Sequence, residues 1–173
     1  MHSLRLAPDD FYRSIIEKAN QVGVKTILDA SNEALNQGIK GKPYIIKPNL
    51  RELSNLAGME LRELDEIVQV SREIITQGVE VVIVSLGEAG ACLITQTEVL
   101  KGDIPKIDVE NALGSSDAMT AGIAVSLTRG KTLKDMFRFA VACGMANTQF
   151  RGIGIVEIEL VKKFFNQIRV FNC

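Results

Sequence analysis

The segment Asn111-Ala112-Leu113-Gly114-Ser115-Ser116-Asp117-Ala118-Met119-Thr120-Ala121-Gly122 combines small residues with one carboxylate. A flexible run opens directly into a helical pattern there. Backbone N–H groups at a helix start, aided by the helix dipole, attract anions. Asp117 falls in the first turn, beside any phosphate held by that loop. A carboxylate so placed can take the proton of a hydroxyl attacking a phosphoryl group. The plainer reading is an ordinary helix start, with Ser116 as N-cap and Asp117 complementing the dipole.

Further segments carry polar groups at strand or helix ends. Lys47-Pro48-Asn49-Leu50-Arg51-Glu52 follows a short apolar run. Asn49 and Glu52, at i and i+3, can orient a metal-bound water or a phosphate, or simply form a capping box. Ser85-Leu86-Gly87-Glu88-Ala89-Gly90-Ala91 follows the most apolar run of the chain. Its glycines permit close backbone approach of a nucleotide, or a tight turn. Neither a GxxxxGK[ST] loop nor a strand–GxGxxG–helix fingerprint is present, and Arg151-Gly152-Ile153-Gly154 lacks that context too. Ala142-Cys143-Gly144-Met145-Ala146-Asn147 is compact and polarisable. It can wall a flat purine pocket, with Asn147 offering an amide, or serve close helix packing around Cys143 and Met145.

Composition narrows the classes. The chain has 173 residues, 46% hydrophobic and 24% charged, with 20 Lys+Arg against 21 Asp+Glu. It can bury a core, and its balanced charge argues against a nucleic-acid binder or a polybasic membrane patch. Cys92, Cys143 and Cys173 are widely spaced and odd in number, which excludes a disulfide framework and a CxxC metal site. The single histidine, His2, gives a Ser-His-Asp triad or His-rich metal centre nothing else to rest on. The first residues turn acidic where a signal peptide needs an apolar stretch. No stretch reaches the roughly 20 apolar residues a membrane span needs. A cytoplasmic location without membrane or nucleic-acid partners is expected.

The positioning elements follow from periodicity. Pro8, Asp9 and Asp10 mark a helix start, with Phe11, Ile15, Ala19 and Val22 on one face and Gly23 as the stop. Residues 24–28 and 44–46 read as strands, with Asp29 at the end of the first. Ser31 caps a short helix closed by Gly38. A longer helix spans 60–77, a buried strand covers 81–84, and 91–94 and 99–100 pair around a Thr-Gln-Thr turn. A further strand is predicted over 104–109. Helices follow from Asp117 to about Thr128, from Thr132, and around Leu160, Val161, Phe164, Phe165 and Ile168. Alternating strands and helices predict one α/β domain with a largely parallel sheet.

These segments, in this order, resemble the ribokinase-like carbohydrate kinases of the phosphofructokinase B type. The Asp10-Phe11-Tyr12 start, Lys47-Pro48-Asn49-x-x-Glu52-Leu53, Val84-Ser85-Leu86-Gly87-x-x-Gly90-Ala91 and Gly114-x-x-Asp117 carry the resemblance, which runs from about Ser3 to Val170. Within the family the chain is most similar to the tagatose-6-phosphate kinases and 1-phosphofructokinases. Gly144-Met145-Ala146-Asn147 followed by Gln149 favours the former branch.

The resemblance implies a three-layer α/β/α sheet, incomplete and corresponding to the C-terminal, nucleotide-binding half. It implies ATP-dependent phosphorylation of a ketohexose phosphate: tagatose 6-phosphate, or next fructose 1-phosphate. Asp117 would be the base, and amides of Gly114, Ser115, Ser116 and Asp117 the anion hole. Lys47, Asn49 and Glu52 would place phosphates and Mg²⁺, with Glu52 as the metal-side carboxylate. Ser85, Gly87 and Gly90 would border ATP, and Asn147 would lie near adenine. The expected partners are the sugar phosphate, a complementary N-terminal half and, left open, a second copy. A non-catalytic nucleotide-binding remnant is the alternative, and an unrelated Rossmann-like redox protein fails for want of its fingerprint.

One departure stands out. The family pattern Gly-Ala/Ser-Gly-Asp has Ser116 at its second glycine. If that position needs positive φ, serine would strain the anion hole by about 1 to 3 kcal/mol.

Overall fold

Short apolar runs between polar helices build the first half of the chain. β1 (Ile27–Leu28), β2 (Ile45–Ile46) and β3 (Val81–Ser85) form a parallel ladder. Residues 81–84 of β3 are buried throughout, as a strand covered on both faces requires. The structure is a computed structural model and describes Pro8 and residues 10–173. His2 and Asp9 lie outside the described residues.

The fold is mixed α/β. The described residues form six strands and seven α-helices in two compact units. The first unit holds residues up to Ser85 together with 94–97, and the second holds 86–93 and 98–173.

In the first unit, α1 (Phe11–Gln21), α2 (Asn32–Ile39), α3 (Leu50–Ala57) and α4 (Leu64–Ile75) accompany the ladder. Leu28, Leu35, Ile45, Ile46, Leu53 and Ile83 form its core. The face predicted for α1 is not the buried one. Ile16 is buried, whereas Phe11, Ile15 and Val22 are exposed. Periodicity identifies an apolar stripe but not whether anything covers it. Gly38 lies inside α2 rather than after it, and its missing side chain accommodates Leu28, whose Cδ2 would sit 2.6 Å from a Cβ there. α4 starts at Leu64 rather than Glu60. The N–H groups of Arg62 and Glu63 donate to Glu66 Oε2 at 2.8 and 3.0 Å and fix that start.

In the second unit, β5 (Val99–Asp103) pairs antiparallel with β6 (Arg169–Asn172), an element absent from the sequence reading. The predicted strand over 104–109 does not form. β4 (Ala91–Ile94) precedes β5, with its last residue counted in the first unit.

α5 (Ser115–Thr128), α6 (Leu133–Asn147) and α7 (Ile158–Gln167) complete the second unit. A Cβ on Gly122 of α5 would lie 2.9 Å from Ala140 Cα and 3.1 Å from Cys143 Sγ of α6. The two helices therefore approach as closely as backbone and sulfur allow. Cys143 and Met145 are buried, as the packing reading of that segment requires. Thr132 caps α6, its Oγ1 accepting from Asp135 N at 3.1 Å.

Candidate functional site

The residues singled out from the sequence fall in both units. In the first, register explains the grouping. Leu28 pairs with Ile46, so the next residues, Asp29 and Lys47, emerge side by side at the carboxyl ends of β1 and β2. Lys47 Nζ lies 3.0 Å from Asp29 Oδ2; the lysine side chain is 1% exposed and the aspartate 25%. An ammonium is buried in this way only when it is paired. Asp29 was not among the predicted site residues. Its position at the end of a strand adjacent to the Lys47 strand is the signal that would have found it.

Asn49 and Glu52 form a complete capping box at the start of α3. Asn49 Oδ1 accepts from Glu52 N at 2.9 Å, and Glu52 Oε2 accepts from Asn49 N at 2.9 Å. The plainer reading of this pair is thus realised. Ser85 joins them: its N–H donates to Pro48 O at 3.1 Å, and it forms a parallel bridge with Asn49. The structure brings Lys47, Asn49, Glu52 and Ser85 together at the carboxyl end of the parallel ladder, where open α/β sheets bind ligands.

No group of three or more His, Cys, Asp or Glu suited to a metal occurs among the described residues. A lone carboxylate fits Mg²⁺, which binds through one or two carboxylates plus substrate phosphates and its own waters. Glu52, oriented by the Asn49 N–H, meets that requirement.

In the second unit the chain turns at Gly87 and Gly90, both at positive φ. A Cβ on Gly87 would meet nothing within 4 Å, so that glycine is open, whereas one on Gly90 would strike Gly102 O at 2.0 Å. Leu86 N donates to Gly90 O at 2.9 Å and closes the turn.

The loop before α5 is built differently from the sequence expectation. The N-cap is Gly114, left-handed at φ 83° and ψ −4°, not Ser116. Ser116 lies inside α5. Among the described residues the non-glycines at positive φ are Asn32 and Lys42, so Ser116 carries no such strain. The left-handed residue that turns the loop is already a glycine, and Ser116 has only to be helical. Ser115 N and Oγ both donate to Ala112 O, at 3.3 and 2.6 Å. Asp117 is exposed in the first helical turn, and its carboxylate has no hydrogen bond or ion pair to another described residue.

A second loop holds the first one. Asn147, the last residue of α6, is fully buried. Its Nδ2 donates to Leu113 O at 2.8 Å, and its Oδ1 accepts from Gly154 N at 2.9 Å. Asn111 Nδ2 donates to Arg151 O at 2.9 Å, Glu110 N to Thr148 O at 2.9 Å, and Gln149 Nε2 to Asp108 O at 2.8 Å. A Cβ on Gly114 would lie 2.8 Å from Ile153 Cγ2. Asn147 thus ties residues 113 and 154 across the cradle. Asn111, Thr148 and Gln149 were missed as positioning residues, since their bonds span about forty positions of sequence.

Residues 5–158 match the sequence model of the pfkB family carbohydrate kinases. The chain belongs to this family. Solved structures agree. A Staphylococcus aureus protein assigned as a phosphofructokinase is similar at TM-score 0.90 and 28% identity, over 96% of this chain and 54% of its own. Escherichia coli phosphofructokinase-2 in complex with potassium gives 0.86 and 28%, over 92% and 52%. Arabidopsis thaliana ribokinase complexed with ribose and ATP gives 0.81 and 29%, over 93% and 54%. The pfkB-family chain therefore spans about half the length of the structures it matches. Its α/β fold is the ribokinase-like one. Among the described residues, no helix is long and apolar enough to cross a membrane.

Proposed function

We propose that this pfkB-family chain carries the nucleotide and phosphoryl-transfer machinery of an ATP-dependent sugar-phosphate kinase, with Asp117 as base. The observation that carries the reading is the unengaged Asp117 carboxylate in the first turn of α5, directly after a left-handed Gly114.

Asp117 takes the proton of the sugar hydroxyl as its oxygen bonds to the γ-phosphorus and the bond to the β-phosphate oxygen breaks. Aspartate is a weak base near neutral pH, which suits proton transfer late in a loose transition state. Backbone N–H groups at the start of α5 stabilise charge on the transferring phosphoryl oxygens, helped by the helix dipole. Asn147 positions that loop through Leu113. The amide contacts its own chain at both ends, so an adenine role would add to this function.

In the first unit, Lys47 supplies a fixed positive charge, and Asn49 and Ser85 shape the strand ends. Glu52 would hold the metal. Mg²⁺, when bound, neutralises phosphate charge. The open Gly87 turn and Gly90 border the nucleotide.

Tagatose 6-phosphate is the proposed acceptor, on the resemblance of residues 144–149, with fructose 1-phosphate next. Most sugar contacts of such an enzyme would come from a complementary half, and a second copy is a further proposed partner. A cytoplasmic location accords with this chemistry. The alternative is a chain that binds nucleotide without transferring phosphate.

A phosphoryl-transfer assay on the chain combined with the complementary half of a relative separates the two. The proposal expects ADP formation dependent on tagatose 6-phosphate. Asp117→Asn should lower it by about 10² to 10⁴ while nucleotide binding persists. A folded complex that binds ATP and transfers nothing supports the alternative.

A further inference from the structure

The second unit contains an open cleft of about 640 Å³ that the kinase reading does not use. Lys134 and Arg138 of α6 and Arg169 of β6 line it, with the amides of Asn166 and Gln167 and the ring of Pro105. None of the three cationic side chains forms an ion pair or hydrogen bond with another described residue. No carboxylate lines the cleft. Asp103 stands across the β5–β6 ladder from Arg169, but it is engaged by Lys101 at 3.5 Å.

Arg138 is the distinctive member. Its guanidinium stacks over the Phe165 ring at 4.6 Å, and its Nε is buried without an acceptor. A buried charged donor left unsatisfied is costly, and native proteins retain few of them. Stacking also fixes the plane of the guanidinium, which presents its fork pre-oriented. Lys134 lies in the first turn of α6, at the positive end of its dipole, where cations are unfavourable. The cationic lining and the fixed guanidinium plane call for an anion.

We propose that this cleft binds the phosphate group of a small phosphate monoester. Arg138 donates to two phosphate oxygens through its planar fork, the geometry that favours arginine for this group. Lys134 and Arg169 add point charges, and Asn166 and Gln167 face the hydroxyls of the organic part over Pro105. The site is independent of the Gly114 loop, because it shares no residue with it.

The test is a nuclear magnetic resonance titration of the isotope-labelled chain with inorganic phosphate, chloride holding ionic strength constant. Saturable amide shifts are expected at residues 134, 138 and 168–170, scored separately from any at 114–117. Glycerol 3-phosphate should move the same amides and also the Asn166 and Gln167 side chains. Lys134→Ala with Arg169→Gln, at exposed side chains, should weaken phosphate at least about tenfold. Arg138→Lys, which keeps the charge but not the fork, should weaken it too. Absence of saturable shifts in the cleft of the folded wild-type chain overturns the proposal. So does equal affinity in the double variant, which would mark non-specific ion binding.

Discussion

Asn147 Nδ2 donates to the carbonyl of Leu113 at 2.8 Å, so a fully buried amide on α6 sets the residue that precedes the left-handed Gly114. The same side chain accepts from Gly154 N. Asn147→Ala would leave the Leu113 carbonyl and the Gly154 N–H without this partner. The expected cost is about 1 to 3 kcal/mol in chemical denaturation. Asn147→Asp should cost at least as much, since it replaces the donor facing Leu113 O with an acceptor. A variant as stable as wild type would show that the two loops hold without this tie.

Ser116 invites a different test. It is helical, and the positive φ of the loop belongs to Gly114. Ser116→Gly should therefore give no gain in Mg-ATP affinity, and should lower stability by up to about 1 kcal/mol through helix propensity. Tighter nucleotide binding in calorimetry would show that serine does strain the anion loop.

The Lys47–Asp29 pair is asymmetric in burial, and the asymmetry sets the order of two variants. Asp29→Asn removes the charge opposite a buried ammonium and should cost about 3 kcal/mol or more. Lys47→Met removes the buried charge itself and leaves Asp29 with some access to water. It should be the milder change in urea unfolding. The reverse order would mean that Lys47 is neutralised chiefly by its other contacts.

Burial pushes the thiols of Cys92 and Cys143 up to about 11. The fold favours the neutral thiols, so their contribution to stability is fully present below the unfolded thiol value near ~8.5. It is lost as pH rises through about 11. Unfolding midpoints should fall over that window, and fall less in a Cys92→Ala, Cys143→Ala variant. Thiol labelling of the native chain near neutral pH should stop at Cys173, the exposed one. Rapid labelling of all three would contradict this burial.

The readable parts of this protein were those written in local patterns. The 81–84 run and the Asn49–Glu52 spacing each depend on neighbours within a few positions, and each formed as read. The failures concern information that lies elsewhere in the chain. The apolar stripe of α1 was legible, but not its exposure. β6 exists because residues 169–172 meet 100–103 across the ladder, a pairing that no local period encodes. Asn147 looked like an offered amide because its partners, Leu113 and Gly154, come from two loops the sequence does not visibly join. The Gly114–Asp117 loop was found by residue type, while its turning residue was assigned only by the backbone.

The central claim is that this loop and α5 form a phosphate site for Mg-ATP. The most direct measurement is calorimetric titration of Mg-ATP into the wild-type chain and into Gly114→Ala. Alanine there must adopt φ 83° and bring its Cβ to 2.8 Å from Ile153 Cγ2. Saturable binding by wild type, weakened about tenfold or more in the variant, is the predicted result. A folded wild-type chain that takes up no Mg-ATP, or a variant that binds it equally well, would contradict the account.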